Sequence, residues 1–316
     1  MKPFVKWAGG KTQLLSYIRK KYPAELGKEI TKYCEPFIGG GAVLFDILSK
    51  YNLEEILIND INRELTNTYT QIKVNLTDLL KELESMQNIF WSMDMENRKV
   101  YYYEKRERFN YLKINGNENI NLEKAALFIF LNKTCFNGLF RVNKKGLFNV
   151  PIGSYKKPII CDEINLTQIS NALKNVKITT GDYKECLYFI DENTFVYIDP
   201  PYRPISKTAS FTSYYEMDFN DDEQIALGQF VDKISKLGAW VVVSNSDPKN
   251  NNKDDNFFEN IYDKYNILRI NAKRMINSNA NNRGNIRELL ISNFDNKNNG
   301  IEFNRGDIKN ELYKNL

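Results

Sequence analysis

The chain has 316 residues, 42% apolar and 27% charged, enough to bury a full core and too apolar to default to disorder. Lys plus Arg exceed Asp plus Glu only by 44 to 40, so total charge decides nothing about nucleic acid and local distribution has to. There is no histidine, which excludes Ser-His-Asp triads, Cys-His dyads and histidine metal sites; the chemistry falls to carboxylates, lysines, tyrosines, backbone groups or a cofactor, and no metal is expected.

Met1-Lys2-Pro3-Phe4-Val5-Lys6 shows no apolar stretch with a small-residue cleavage site, and no run of about 18 apolar residues occurs to span a bilayer. A cytoplasmic protein without a membrane partner is the expectation. Lys6-Trp7-Ala8-Gly9-Gly10-Lys11-Thr12 comes next and is similar to the end of a phosphate-binding P-loop, but the first glycine of that pattern is replaced by Val5. Such a loop can instead hold the carboxylate and aliphatic part of an amino-acid-like cofactor.

Tyr33–Phe37 reads as a strand entering the turn Gly39-Gly40-Gly41 and then an apolar helix. Glycines there let the backbone approach a ligand at the carboxyl end of a parallel strand; a merely tight turn is the bland alternative. Ile56–Ile58 is a second strand, ending at Asp60 about twenty residues on, the spacing of an acid that takes ribose hydroxyls. A nucleoside cofactor is implied. The third glycine of the dinucleotide fingerprint falls at Leu44, which weakens NAD; a cofactor without a pyrophosphate, such as S-adenosylmethionine, has less need of it.

From Glu64 to about Leu131 the periodicity is helical, and a Gly-punctuated hairpin follows from Asn137 to Gly153. Residues 61–175 therefore read as a module inserted between the second and third strands of a catalytic domain made of 1–60 and 176–295, with 296–316 as a tail. Val176–Thr180, Phe195–Ile198, Trp240–Val243 and Leu289–Ile291 continue the strand series, giving an α/β sheet with helices on both faces. The Asn/Lys-rich patches at Asn250–Asn256, Asn277–Asn285 and Asn296–Asn299 read as solvated loops. Cys34, Cys135, Cys161 and Cys186 are too widely spaced for a disulfide framework or paired zinc ligands and read as reduced thiols.

The most specific feature closes the most apolar strand: Asp199-Pro200-Pro201-Tyr202. Two prolines there fix the backbone and remove two amide donors, leaving carbonyls beside a carboxylate and an aromatic face; a rigid strand exit is the competing reading. Adenine N6 is a poor nucleophile because its lone pair is delocalised into the ring. Asp199 and the Pro200 carbonyl can each accept one N6–H bond, favouring a tetrahedral nitrogen whose lone pair points at a sulfonium methyl, while Tyr202 stacks on a base flipped out of the duplex. Methylation at carbon-5 of cytosine would need a Pro-Cys nucleophile, which the sequence lacks.

Taken together, Lys6–Lys11, Glu35–Gly41, Ile58-Asn59-Asp60-Ile61-Asn62 and Asp199–Tyr202 resemble, in order, the Dam-type DNA adenine methyltransferases. The resemblance covers almost the whole chain. It implies a Rossmann-like seven-stranded methyltransferase sheet with an inserted, mostly helical DNA-recognition domain, S-adenosyl-L-methionine as cofactor and double-stranded DNA as substrate. By position it assigns Trp7, Lys11, Phe37, Asp60 and Asp199 to the cofactor, with Gly39 and Gly41 in its turn and Asp182 and Tyr183 of Gly181-Asp182-Tyr183 at the adenine ring; a solvated loop acid is the other reading of Asp182.

Lys133 to Lys157 contains six basic residues, Lys133, Arg141, Lys144, Lys145, Lys156 and Lys157, and no acid. With Phe136, Phe140, Phe148 and Tyr155 it fits a DNA-facing hairpin in which lysines hold phosphates and aromatics wedge or stack, or a solvated hairpin over an aromatic mini-core. Phe136–Asn143 and Phe148–Pro158 are similar to the recognition hairpin of family members that methylate GATC. That likeness implies Arg141 as a guanine reader, Phe136 as a wedge, Asn137 as a polar contact near the flipped base, and Lys6, Asn143, Tyr155 and Lys156 as further DNA contacts. Ser210-Phe211-Thr212-Ser213-Tyr214 reads as a loop closing over DNA. An ATP-driven nucleic-acid enzyme built on Gly10-Lys11-Thr12 and Asp199, and a non-catalytic DNA-binding module using only the hairpin, are the rival readings. A companion restriction endonuclease, paired in function without a stable complex, and a mark for repair and regulation are both open.

Overall fold

The computed structural model describes residues 1–116, 121–203, 219–273 and 285–295. In chain order the elements are α1 (Leu15–Ile18), β1 (Lys32–Glu35), α2 (Ala42–Leu48), β2 (Glu55–Asp60), α3 (Arg63–Val74), α4 (Leu76–Ser92), α5 (Met95–Asn115), α6 (Leu122–Thr134), α7 (Glu163–Ala172), β3 (Val176–Thr180), β4 (Thr194–Ile198), α8 (Asp221–Lys236), β5 (Trp240–Ser246), α9 (Phe257–Ile261), β6 (Asn266–Lys273) and β7 (Asn285–Ser292). Among the described residues the strands form one sheet in the order β3-β2-β1-β4-β5-β7-β6. The first five are mutually parallel and β7 runs antiparallel to both neighbours.

Strand alternation divides the core. Tyr33, Ile56, Ile58, Phe195, Tyr197, Val242 and Leu290 pack on one face, and Cys34, Leu57, Val196, Ile198, Val241, Val243, Leu289 and Ile291 on the other. Both faces are covered, which is why the central strands β4 and β5 carry the continuous apolar runs Phe195–Ile198 and Trp240–Val243. The first face merges into the helices between β2 and β3. Within that stretch α6 is buried along Ala125–Asn132 and contacts α3, α4 and α5, as a helix apolar all round requires. Side-chain caps fix the helix starts: Asn62 for α3, Asp94 for α5, Asn121 for α6, Asp162 for α7 and Asn220 for α8.

Three expectations change in detail. The first strand stops at Glu35, because Pro36 cannot donate to a ladder. The edge strand β6 adds to the expected series: Asn266-Ile267-Leu268-Arg269-Ile270-Asn271 mixes polar and apolar residues, as an edge with one neighbour permits. The hairpin is a chain reversal held by two isolated bridges, Cys135 to Ile152 and Val142 to Phe148, with Pro151 again short of a donor. The expected loop Ser210–Tyr214, residues 277–284 of the second Asn/Lys-rich patch and the tail 296–316 lie outside the described residues. Among the described residues no helix is long and apolar enough to cross a membrane.

Candidate active site

Strand order reverses between β1 and β4, β2 and β3 lying to one side and β5 to the other. The crevice at the carboxyl ends of such strands is where open α/β sheets bind ligands. Those ends are Pro36–Gly39, Asp60, Gly181, Asp199 and Ser244–Ser246, so the separate sequence motifs meet at one edge of the sheet.

Asp199 is the centre of the group. Lys11 Nζ lies 2.8 Å from Asp199 Oδ2, and Ser244 Oγ on β5 donates to Asp199 Oδ1 at 2.8 Å while accepting from Tyr197 OH at 3.1 Å. Burial pushes the Asp199 carboxyl above the usual range, against the pull of Lys11 and Ser244. Lys11 is itself buried, donates to the Gly9 carbonyl and stands 4.6 Å from the Tyr202 ring centroid. Tyr202 OH donates to Glu288 Oε2 on β7 at 2.6 Å, and burial raises the Glu288 carboxyl, opposed by Lys11. Gln224 of α8 donates to the Pro201 carbonyl at 2.9 Å and accepts from Asn245 at 3.0 Å. Of the two proline carbonyls, then, that of Pro201 is engaged by the protein. A carboxylate offers about four lone-pair sites, so Asp199 keeps acceptor capacity beyond its two partners.

The glycine turn is built against protein as much as against a ligand. Gly39 has φ +47°, and a Cβ there would stand 2.9 Å from Trp7 Cδ1; Gly41 has φ +72°, and its Cβ would meet Tyr69 OH at 2.4 Å. Tyr69 OH in turn donates to the Gly39 carbonyl at 3.1 Å. Asp60 Oδ2 accepts from Gly39 N at 3.0 Å and Oδ1 from Asn62 N at 2.9 Å. Burial nevertheless lifts the Asp60 carboxyl to about 6. Asn59 ties the neighbouring strand ends together, donating to the Pro36 and Gly181 carbonyls at 3.1 and 2.9 Å. The Phe37 ring faces Tyr183 at 5.2 Å. Tyr183 is buried and its hydroxyl has no partner among the described residues, whereas Asp182 is exposed and accepts from Lys184 N, capping the turn Tyr183–Phe189. Glu35, fully buried beneath the site, accepts from Tyr33 OH at 2.7 Å, and burial drives its carboxyl well up.

The basic loop meets this group through Lys6, whose Nζ donates to Tyr155 OH at 3.3 Å. Phe136 is 51% exposed, and Asn137 next to it is left-handed at φ +56°, unlike every other described non-glycine residue. Phe140 and Phe148 correct the picture of four DNA-facing aromatics. Both are buried, with Phe140 stacked under Trp7 at 5.6 Å, 24° from parallel, and Phe148 5.6 Å from Phe140; they are the mini-core under the loop. Arg141 is exposed and its Nε donates to Asn149 Oδ1 at 2.8 Å. Asn143 Oδ1 is committed to the turn, accepting from Lys145 N and Leu147 N, and Lys156 is exposed. No hydrogen bond or ring contact among the described residues joins the side chains of Arg141, Asn143 or Lys156 to the strand-end group.

Ser244, Asn245, Gln224, Glu288 and Asn132 belong to no motif that the sequence shows, and Asn59 lies within Ile58–Asn62 without a role of its own there. For Ser244 and Asn245 a signal exists: Trp240-Val241-Val242-Val243 turns polar at a strand's carboxyl end, where sites form. The P-loop rival fails on geometry, since among the described residues no strand precedes Gly9, and Lys11 is spent on Asp199.

The strand order with an antiparallel β7, and an Asp-Pro-Pro-Tyr exit at the switch point, define a Rossmann-like S-adenosylmethionine-dependent methyltransferase fold. Residues 7–276 match the D12 class N6 adenine-specific DNA methyltransferases, and the chain belongs to that family. It is 50% identical to the Type II methyltransferase M.MjaIII of Methanocaldococcus jannaschii over 93% of this chain and 99% of that one. It is 36% identical to the Type II methyltransferase M1.LlaDCHI of Lactococcus lactis subsp. cremoris over 94% and 96% of the two chains. With the DNA adenine methylase of Escherichia coli K12 the identity is 31%, over 91% and 93%. The protein is thus an adenine-specific DNA methyltransferase, a family that implies DNA as substrate and an S-adenosylmethionine-type methyl donor.

Proposed function

We propose that this enzyme methylates N6 of adenine within GATC in duplex DNA, with Asp199, Pro200, Pro201 and Tyr202 as the reacting site. The observation that carries this reading is the Asp199 carboxylate at the switch point, oriented by Lys11 from the N-terminal helical turn and by Ser244 from β5. S-Adenosylmethionine fits the groups present: Asp60 offers acceptor lone pairs to ribose hydroxyls, Phe37 and Tyr183 an aromatic wall, Asp182 an exposed carboxylate, and Trp7 and Lys11 flank the amino-acid end. It supplies, when bound, an electrophilic methyl group. Gly39 and Gly41 shape the turn that carries Asp60's partner amide.

Asp199 and the Pro200 carbonyl accept the two N6 hydrogens of the target adenine, drawing its lone pair out of the ring, and Tyr202, braced by Glu288, stacks on the base. Reaching N6 requires flipping the adenine, at a cost of roughly a few kcal/mol. Residues 61–175 act as the recognition module: Arg141 reads guanine, Phe136 and Asn137 enter the space the adenine leaves, and Lys6, Asn143, Tyr155 and Lys156 contact DNA. Two settings fit a chain similar both to Type II methyltransferases and to a DNA adenine methylase, functional pairing with a restriction endonuclease or marking of DNA for repair and regulation; either acts on cytoplasmic DNA. Purified protein given methyl-labelled S-adenosylmethionine and duplexes differing only at GATC tests this. Label on adenine of the GATC duplex alone is expected; label on cytosine, or none, would overturn it.

A further inference from the structure

Asn132, near the end of α6, is buried and takes no part in the reaction proposed above. Its Oδ1 accepts from Lys6 N at 2.8 Å, and its Nδ2 donates to Lys6 O at 2.9 Å and to Gly138 O at 3.0 Å. One amide therefore grips both backbone groups of Lys6, at the root of the loop leading to Trp7 and Lys11, and a carbonyl at the entry to the basic loop. An amide brings an acceptor and two donor hydrogens to such a place, where a hydroxyl has one donor hydrogen and a carboxylate would face two carbonyls.

Three further contacts make the junction rigid. Gly138 is left-handed at φ +64°, and a Cβ there would fall 2.5 Å from Lys6 Cδ and 2.9 Å from Lys6 Cβ, so Lys6 packs on bare backbone. The Trp7 ring lies on Phe140. Lys6 Nζ reaches Tyr155 on the return arm of the loop. At its other end the same short segment is pinned by Lys11 to Asp199. A displacement of the segment is thus shared with residues 136–141 through Asn132.

We infer that Asn132 is a positioning residue that docks the cofactor-facing segment Lys6–Lys11 onto the DNA-facing segment Phe136–Arg141, so that each site's occupancy sets the other's affinity. This rests on the roles proposed above for the two segments. Linkage makes the effect reciprocal.

The test uses the full chain and S-adenosylhomocysteine, which binds without reacting. Its Kd is measured calorimetrically with and without a saturating GATC duplex, and the duplex Kd with and without S-adenosylhomocysteine. In the wild-type protein each ligand should tighten the other by about tenfold. In N132A, N132D and G138A, each verified as folded by circular dichroism, the factor should fall to within about twofold of one in both directions, a loss that a general drop in stability would not produce. G138A pushes Lys6 from the opposite side and carries the test should the Asn132 variants not fold. A factor that survives in the folded variants overturns the inference, as does a wild-type protein that binds both ligands without linkage. Wild-type protein that binds neither ligand would overturn the proposed function as well.

Discussion

Replacing Asp60 by an asparagine isolates a titration that the fold makes costly. The Asp60 carboxyl is buried and raised to about 6 from an ordinary 3.8, a shift of about two units, or roughly 3 kcal/mol of preference for the neutral form. Because the folded value is the higher one, the folded state binds more protons than the unfolded state between about pH 4 and 6, and stability falls as pH rises through that window. The amide of the variant does not titrate, so the difference in unfolding free energy between wild type and Asp60→Asn should drift by up to about 3 kcal/mol from pH 4 to 7, against the wild type. Other raised carboxyls, Glu35, Asp199 and Glu288, cancel in that difference. Ribose hydroxyls donate to the charged form, so cofactor affinity should move oppositely, weakening about tenfold from pH 7 to 5 in wild type and staying flat in the variant. Urea titrations across pH, with calorimetry of cofactor binding, measure both. A wild-type-minus-variant difference that stays level from pH 4 to 7 would refute the reasoning.

Ser244→Ala removes the 2.8 Å donor to Asp199, a bond to a charged group of about 1.5–3 kcal/mol; single-turnover methyl transfer should slow roughly ten- to hundredfold with duplex affinity unchanged. Arg141→Ala should cost about 1–3 kcal/mol of discrimination between GATC and a duplex altered at guanine; equal weakening on every sequence would make Arg141 a phosphate contact. Gly41→Ala sets a Cβ 2.4 Å from Tyr69 OH at φ +72° and should lower the Tm, with Tyr69→Phe in the same chain relieving the clash but not the backbone strain of about 1–2 kcal/mol.

Residues whose role is local are legible in the sequence. Val176–Thr180 and Thr194–Ile198 lie in a parallel sheet and read as strands, and Asp199-Pro200-Pro201-Tyr202 announces itself because two prolines after such a run serve no ladder. Pairings made by the fold are not legible, even where, as at Ser244, a strand end turning polar marks the position. Ser244 reaches Asp199 across 45 positions, Glu288 reaches Tyr202 across 86, and Asn132 reaches Lys6 across 126; nothing beside any of them in the chain marks the partner. Phe140 and Phe148 show the opposite error. Aromatics within a basic segment suggest a DNA face, yet Phe136 is left outside while these two form the loop's floor. The glycines of the turn read as making room for a ligand, and at Gly39 and Gly41 the atoms nearest an added Cβ belong to Trp7 and Tyr69.

The most direct measurement is base-resolved sequencing of plasmid DNA from cells expressing the wild-type chain or Asp199→Ala. N6-methyladenine at GATC with the wild type and none with the variant is the predicted result. Modified cytosine, or adenine modification that persists without the Asp199 carboxylate, would contradict the account.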